Sequence, residues 1–526
     1  MTLGRTWKAT VASLLTLASI AVLIAACGGS SSTSSGGSDS TGTESSAEPQ
    51  PGGTLSVSLG EEITGLNPGA GISTIEDVNL ISQIFETLFK EDYEGKVVPW
   101  LLESYKPSKN YTVWTMRLKN GVKFSNGKPM TSADVVWTLE RSMETETRAA
   151  LVEGWEKVEA LSPTTVVIIT KQPTPEMPLI LTQWIFSVVP KNWEGESEKQ
   201  FFDHPIGTGP FEFVDWKKGE SVTLKKNPNY WVPDRPYLDE VVYRTVQDPN
   251  SRTAQVRGGQ LDMAYSPPFP EIESLENSPE LAVDSSALGT EWYLVLNTKS
   301  ALFENRKARE AVNYGLDRES MIEVALHGHG EPMNSYLTPP TPNYDKSLRA
   351  PEQNIEKAKE LLAEAVQEGV EPTFTISSIA ESPFWTQAIQ IAQANLEEAG
   401  FTVSIKLSDL SSMIGQLEES DFDASAIMNY GKSSAAELLS FYNGTGGSFA
   451  NVDTQQLEEL LPEAQSETNT AKRNAIYAQM QQMINEEQAV IPAAYSPFMF
   501  ARQSDVAGSF IGNTGILWLG EAGFTG

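Results

Sequence analysis

YTVWTMRLKNGVKFSNGKPMTSADVVWTLER, residues Tyr111 to Arg141, packs three kinds of local structure into one short stretch. Tyr111 to Leu118 alternates, with Trp114, Met116 and Leu118 on one side, which is the period of a half-buried strand. Asn120-Gly121 and Asn126-Gly127 are turn signals, because glycine tolerates the positive φ that tight hairpin turns require. Thr131 then caps a helix through Met143, with Asp134 in its first turn, where a negative charge faces the positive end of the helix dipole. A strand, two turns and a capped helix in succession predict a mixed α/β chain.

The same alternation continues outward. On the N-terminal side, Thr54 to Leu59 reads as a strand. Thr74 to Phe89 reads as an amphipathic helix with Thr74 as cap and Val78, Ile81, Phe85 and Leu88 on one side. On the C-terminal side, Thr164 to Thr170 is a β-branched run suited to a buried strand. Further on the elements become regular. Thr373 to Ile379 is a strand, Trp385 to Ala399 a helix stopped by Gly400, and Thr402 to Leu407 a strand. Leu410 to Glu419 is a helix and Phe422 to Tyr430 a strand. Strands separated by helices of this length imply crossover connections and a largely parallel sheet. Two more amphipathic helices follow, near Thr454 to Ala464 and Ala471 to Glu487, and no internal repeat is evident.

The N-terminus has a different character. Cys27 is the only cysteine of 526 residues. It follows Ile24-Ala25-Ala26 and the uncharged apolar run Val11 to Ile24, which Arg5 and Lys8 precede. A basic start, a short apolar core and small residues before a cut make a secretory signal, residues 1–26. The apolar run is shorter than the roughly 20 residues a membrane-spanning helix needs. The ending resembles the lipobox of bacterial lipoproteins, which implies cleavage before Cys27 and a lipid on its thiol. Gly28 to Pro51 is almost entirely Gly, Ser, Thr, Glu, Asp, Ala, Gln and Pro. Residues 27–51 thus read as lipidated cysteine and flexible tether, reaching on the order of 25 Å by random-coil scaling. The expected location is extracytoplasmic, anchored to the cell membrane.

Composition narrows the function. A formal charge of −31 excludes a nucleic-acid partner and disfavours an anionic membrane surface. One cysteine allows no disulfide within the chain. Of the three histidines, His327 and His329 flank Gly328. Two imidazoles there need further ligands to hold a metal, and a surface turn at a helix end accounts for them. No zinc-protease pair, nucleophile elbow, phosphate loop or thiol pair is present. The sequence therefore predicts no catalytic group, cofactor or metal. Asp and Glu are abundant enough that no carboxylate pair stands out.

With those residues read, Tyr111 to Arg141 resembles the signature segment of the peptide/nickel-binding family (family 5, cluster C) of ABC-transporter solute-binding proteins. The resemblance rests on Leu118 to Phe124, Asn126-Gly127 and Thr131 to Val136. Other segments match in the family's order: Ile84 to Pro99, Pro205 to Trp231, Leu238 to Ala264, Leu294 to Gly328, Ile355 to Leu362 and Ala475 to Pro492. It runs from about Gly52 to the end. It implies a two-lobed α/β periplasmic-binding-protein fold (type II, cluster C) with an extra domain inserted in the first lobe. Domain I would comprise residues 52–86, 207–291 and 495–526, the extra domain 87–206 and the second lobe 292–494. The hinge would lie near Glu291 to Asn297 and Pro492 to Tyr495. It further implies a monomer that captures a peptide or other small polar solute between the lobes and delivers it to an ABC permease.

On that reading the cleft draws on three places: the loop Glu62 to Asn67, the turn Ala380 to Trp385 and the strand end Met428 to Ser433. The last two lie at carboxyl ends of strands, where open α/β sheets bind ligands. Phe384, Trp385 and Tyr430 offer ring faces either to a solute or to the core. Asn67 and Asn429 are polar candidates beside them. Here the chain departs from the family's peptide binders. They carry an Asp for the peptide's amino group where this chain has Lys432. Dipeptide binders carry an Arg for the carboxylate where this chain has Glu381 and Ser382. That exchange disfavours zwitterionic dipeptides in the usual orientation and leaves longer peptides, sugars and other small solutes open. An envelope-anchored hydrolase, or a solute sensor on the same fold, is the alternative. Turnover of candidate solutes separates enzyme from binder.

Overall fold

The computed structural model describes residues 48–69, 74–144, 152, 154–339, 341–380, 383–430 and 450–526. The strands used below are β1 (Thr54–Leu59), β2 (Phe89–Glu91), β3 (Val97–Pro99), β4 (Leu102–Pro107), β5 (Val113–Leu118), β6 (Trp155–Ser162) and β7 (Thr165–Thr170). They continue as β8 (Phe211–Lys217), β9 (Ser221–Lys226), β10 (Glu240–Thr245), β11 (Met263–Tyr265) and β12 (Leu281–Leu296). The last are β13 (Glu331–Pro332), β14 (Thr373–Ile379), β15 (Thr402–Ser408), β16 (Ala424–Tyr430) and β17 (Val490–Gln503).

The sequence that opened the reading forms its elements as the spacing predicts. Trp114, Met116 and Leu118 of β5 are buried on one face. Gly121 and Gly127 both take positive φ. The helix Ser132–Glu144 starts where Asp134 accepts the backbone and hydroxyl of Thr131, at 2.8 and 2.9 Å. One helix is shorter than its periodicity suggests. Ile75–Ile84 has the expected Thr74 cap but ends before Phe85, and Phe89 opens β2. The cause is tertiary. Gly209 donates to the Ile84 carbonyl at 2.9 Å, and a Cβ on Gly207 would stand 1.9 Å from that oxygen. A second chain segment thus takes the carbonyl that the next helical turn would have used.

One large sheet organises the molecule. Its order is β15-β14-β16-β12-β17-β11-β1-β10-β9-β8, with β13 beside β17. The predicted parallel pairing holds for β14 with β15 and with β16. The join to the rest is antiparallel, through β12 and β17. These two long strands each belong to both halves. Leu281 to Ser285 and Met499 to Gln503 pair with each other beside β11, whereas Thr290 to Leu296 pairs with β16 on its other side. A separate four-stranded sheet, β4-β5-β7-β6, lies within residues 102–170.

Each part has its own core. Leu55, Val57, Leu80, Val241 and Phe500 share one, and Trp114, Phe124, Val135 and Ile168 share a second around the four-stranded sheet. Beyond the crossing, β12 is buried on both faces. Trp292, Leu294 and Leu296 meet the helices Arg306–Gly315 and Pro383–Glu398, while Tyr293 and Val295 meet Thr470–Glu487. That near-continuous apolar run is what a strand covered by helices on two sides requires.

The crossing is irregular where the halves meet. Register shifts fall between Ser285 and Gly289 and between Trp292 and Tyr293. The Ser286 hydroxyl donates to the Leu288 carbonyl and accepts the Phe498 N–H at 3.1 Å, so a side chain replaces the missing ladder bonds. A Cβ at Gly289 would lie 1.9 Å from the Ser496 carbonyl oxygen, so only glycine lets the strands pass this closely.

Candidate functional site

The loop after β1 is fixed by acids. Asp77 accepts the Thr64 backbone at 2.8 Å and its hydroxyl at 2.6 Å. Asn67 donates its amide to Glu198 at 2.8 Å, and Glu198 also takes Arg141 at 2.9 Å. The Asn67 carbonyl oxygen accepts the Gly69 N–H at 2.7 Å. Asn67 therefore ties the loop to the segment around Glu198 and has both ends of its amide engaged. Close by, Glu76 is only 3% exposed. Burial pushes its carboxyl up to about 7, helped by neighbouring Glu61. Glu61 is itself raised by burial and by Asp77. Arg252 offers Glu76 long-range attraction, but its guanidinium donates to the carbonyls of Val246, Gln247, Tyr265 and Ser266. Clustered acids with raised pKa are a feature of functional sites.

On the other side of the crossing, Asn429 is half-buried and stands opposite Glu291 in the β12–β16 register. Glu291 is fully buried and accepts the hydroxyls of Tyr293 at 2.9 Å and Thr338 at 3.0 Å. Tyr430 ends β16 opposite Thr290, and Phe384 lies in the first turn of the helix Pro383–Glu398. Trp385 is 2% exposed. Its indole donates to Ser378 at 2.8 Å and meets Trp292 edge to face at 4.5 Å. The ring expected to face either solute or core is packed in the core, clamped between β12 and β14. Cys27, Glu381 and Lys432 lie outside the described residues.

Two features were not read from the sequence. The first is a cavity of about 340 Å³ that none of the described residues of the three expected segments lines. Its walls come from the helix Ile75–Ile84 and the residues after it, from residues 182–187 and 230–235, and from 513–521. At its floor Glu86 accepts three hydrogen bonds, from Trp100 at 2.7 Å, Trp231 at 2.9 Å and Tyr230 at 3.1 Å. Burial still raises the Glu86 carboxyl, against those bonds. An acid inside the apolar run Ile84 to Phe89 was the available signal, since a charge there needs dedicated partners. The second is a contact between distant segments. Glu176 accepts the Tyr477 hydroxyl at 2.8 Å and faces Arg473 at 3.4 Å. Its partners sit 301 and 297 residues along the chain, and no local pattern announces them.

Near the His327-Gly328-His329 turn, His327 and Gly328 take positive φ after the helix Arg318–Ala325, and His329 stacks on Phe269. Among the described residues no group of three or more His, Cys, Asp or Glu side chains converges on one point, and no helix is long and apolar enough to cross a membrane.

A sheet carried through two crossing strands, with a separate core on each side, defines a two-lobed binding protein. Residues 96–450 match the model of the bacterial extracellular solute-binding proteins, family 5, and the chain belongs to that family. The glutathione-binding protein GsiB of Escherichia coli K12 is 27% identical over 470 residues, covering 86% of this chain and 91% of that one. Among solved structures, the oligopeptide-binding protein AppA of Bacillus subtilis, in complex with a nonapeptide, is 25% identical. It superposes with a TM-score of 0.76 over 91% of this chain and 100% of its own. NikA of Brucella suis, with Fe(III)-EDTA, has a TM-score of 0.81 over 89% and 99% at 21% identity, which shows the shared fold. The chain is thus an extracytoplasmic solute-capture component of an ABC importer, from a family of binding proteins rather than enzymes.

Proposed function

We propose that this chain is a lipid-anchored monomeric receptor that holds a peptide or other small polar solute between its lobes and hands it to an ABC permease. The first lobe is domain I (52–86, 207–291, 495–526) with the extra domain (87–206), and the second lobe is 292–494. Residues 1–26 are a signal peptide, and Cys27 carries a lipid at the head of the tether 27–51. The observation that carries the reading is the pair of strands β12 and β17. They join two separately cored halves through an irregular crossing, and a hinge there leaves both cores intact. The solute meets the loop ending at Asn67, the turn holding Glu381 and Phe384, and the β16 end with Asn429, Tyr430 and Lys432. Relatives named for glutathione and for a nonapeptide support a peptide-like solute. Lys432 and Glu381 favour one whose charged ends are reversed relative to a dipeptide in the usual orientation. The test is mass spectrometry of small molecules released from the protein purified from its native host, then small-angle scattering with the identified solute. A bound solute and a smaller radius of gyration are expected. A saturating solute that leaves the radius unchanged, or is chemically converted, overturns the reading.

A further inference from the structure

We propose that Glu176, Tyr477 and Arg473 form a latch that fastens the two lobes to each other away from the crossing strands, so that solute affinity and release are set partly by how firmly the lobes hold together. The inference rests on the lobe closure proposed above. Glu176 follows the four-stranded sheet, and the next residue, Met177, is fully buried in the core around that sheet. Tyr477 lies in the helix Thr470–Glu487 and is fully buried in the core that holds Tyr293 and Val295. The contact therefore ties one hydrophobic core to another across 301 residues of chain, and neither side of it belongs to β12 or β17.

Each side holds its group in place. Glu176 is the N-cap of the short helix Met177–Ile180, but its carboxylate makes no capping bond and reaches to the other core instead. Two residues earlier the Thr174 N–H donates to the Tyr111 carbonyl at 3.0 Å, which fixes the segment to the chain just before β5. Opposite, Arg473 and Tyr477 are four residues apart and share one helix face, so both meet the same carboxylate. One of its oxygens accepts the Tyr477 hydroxyl at 2.8 Å, and the other stands 3.4 Å from the Arg473 Nε. The Arg473 Nη1 donates to the Glu467 carbonyl at 2.9 Å, which steadies the guanidinium. Burial and the carboxylate both hold the proton on Tyr477, so it stays a donor. Ion pairs open to water are worth little, but the Arg473 and Glu176 side chains are only 12% and 14% exposed. A charge-assisted hydrogen bond sheltered this well is worth about tenfold in an equilibrium. Made in the closed arrangement and broken in the open one, it shifts the balance between them by that factor.

The test is small-angle scattering on the full folded chain with no solute added. Glu176→Arg sets two guanidinium groups against each other and removes the acceptor of Tyr477. It should move the balance towards the open arrangement by about tenfold or more and enlarge the radius of gyration, while the scattering profile stays that of a folded chain. Adding Arg473→Glu to Glu176→Arg should bring the radius back towards the parent's. Tyr477→Phe removes only a hydroxyl and leaves the ring in its core, so it should enlarge the radius even if the charge reversal fails to fold. Variants that scatter like the parent overturn the proposal. So does a charge-swapped pair as extended as Glu176→Arg alone, because the change then comes from local damage and not from the contact. The measurement uses no solute, so compaction of the parent on its solute stays a separate result. A parent that compacts while its variants scatter as it does loses the latch and keeps the receptor.

Discussion

Removing the Glu86 carboxylate should loosen the first lobe without touching the crossing strands. Three donors converge on this side chain, which is 7% exposed: the Trp100 and Trp231 indoles and the Tyr230 hydroxyl. In Glu86→Ala each loses its acceptor. A buried donor left unsatisfied costs about 1–3 kcal/mol, so the gross loss is roughly 3–9 kcal/mol. Against this stands the relief of no longer burying a carboxyl, whose strain shows as its raised pKa. The net expectation is a destabilisation of about 2–5 kcal/mol. Because the folded pKa lies above the unfolded value, the native carboxyl contributes most below the unfolded pKa, and that contribution fades as pH rises through the folded one. The deficit of the variant should therefore be largest in acid and shrink towards neutrality. Thermal unfolding followed by tryptophan fluorescence at several pH values measures both. An alanine variant that melts within about a degree of the parent would refute the reasoning. So would a deficit that grows with pH.

Other consequences are equally direct. Tyr477→Phe and Glu176→Gln should each weaken the attachment of the helix Thr470–Glu487 to the Glu176 segment by about 1–2 kcal/mol, and the double variant should cost less than their sum. Hydrogen exchange in that helix reports it, and strict additivity would show that the groups do not interact. For Glu76, the carboxyl raised from 4.5 to about 7 contributes stability below pH 4.5 that is lost as pH rises through about 7. Glu76→Gln should flatten the stability profile across that window by on the order of 3 kcal/mol; a slope equal to the parent's would contradict the assignment. Cys27→Ala should release the protein from membranes or leave its precursor uncut, and normal processing with full membrane retention would rule out lipidation there.

The fold was legible wherever the pattern was local. β1 and β14 run over the residues their alternation predicts, and the cap at Thr74 is formed by the residue types expected of one. What periodicity missed was imposed by distant chain. The helix after Thr74 stops at Ile84 because residues 207–209 cover its end. The join between lobes is antiparallel because β12 and β17 are brought side by side from nearly 200 residues apart. The site was harder. A tryptophan opening a helix just past a strand serves core and ligand equally well by composition, and the neighbours that decide for Trp385, Ser378 and Trp292, come from different strands. The cavity over Glu86 is assembled from segments more than 400 residues apart, so no window of sequence contains it.

The bulge at Ser286 to Leu288 has a mechanical consequence. A sheet resists bending across its strands because each ladder bond holds two backbones at a fixed spacing. Where the register skips, that spacing is carried by one serine hydroxyl and a glycine with no side chain in the way. The crossing resembles the thinned line moulded into a plastic lid, continuous with the panels on both sides yet the weakest place to flex. If the lobes close as proposed, the skip offers backbone torsions to turn without a ladder bond to break at that point.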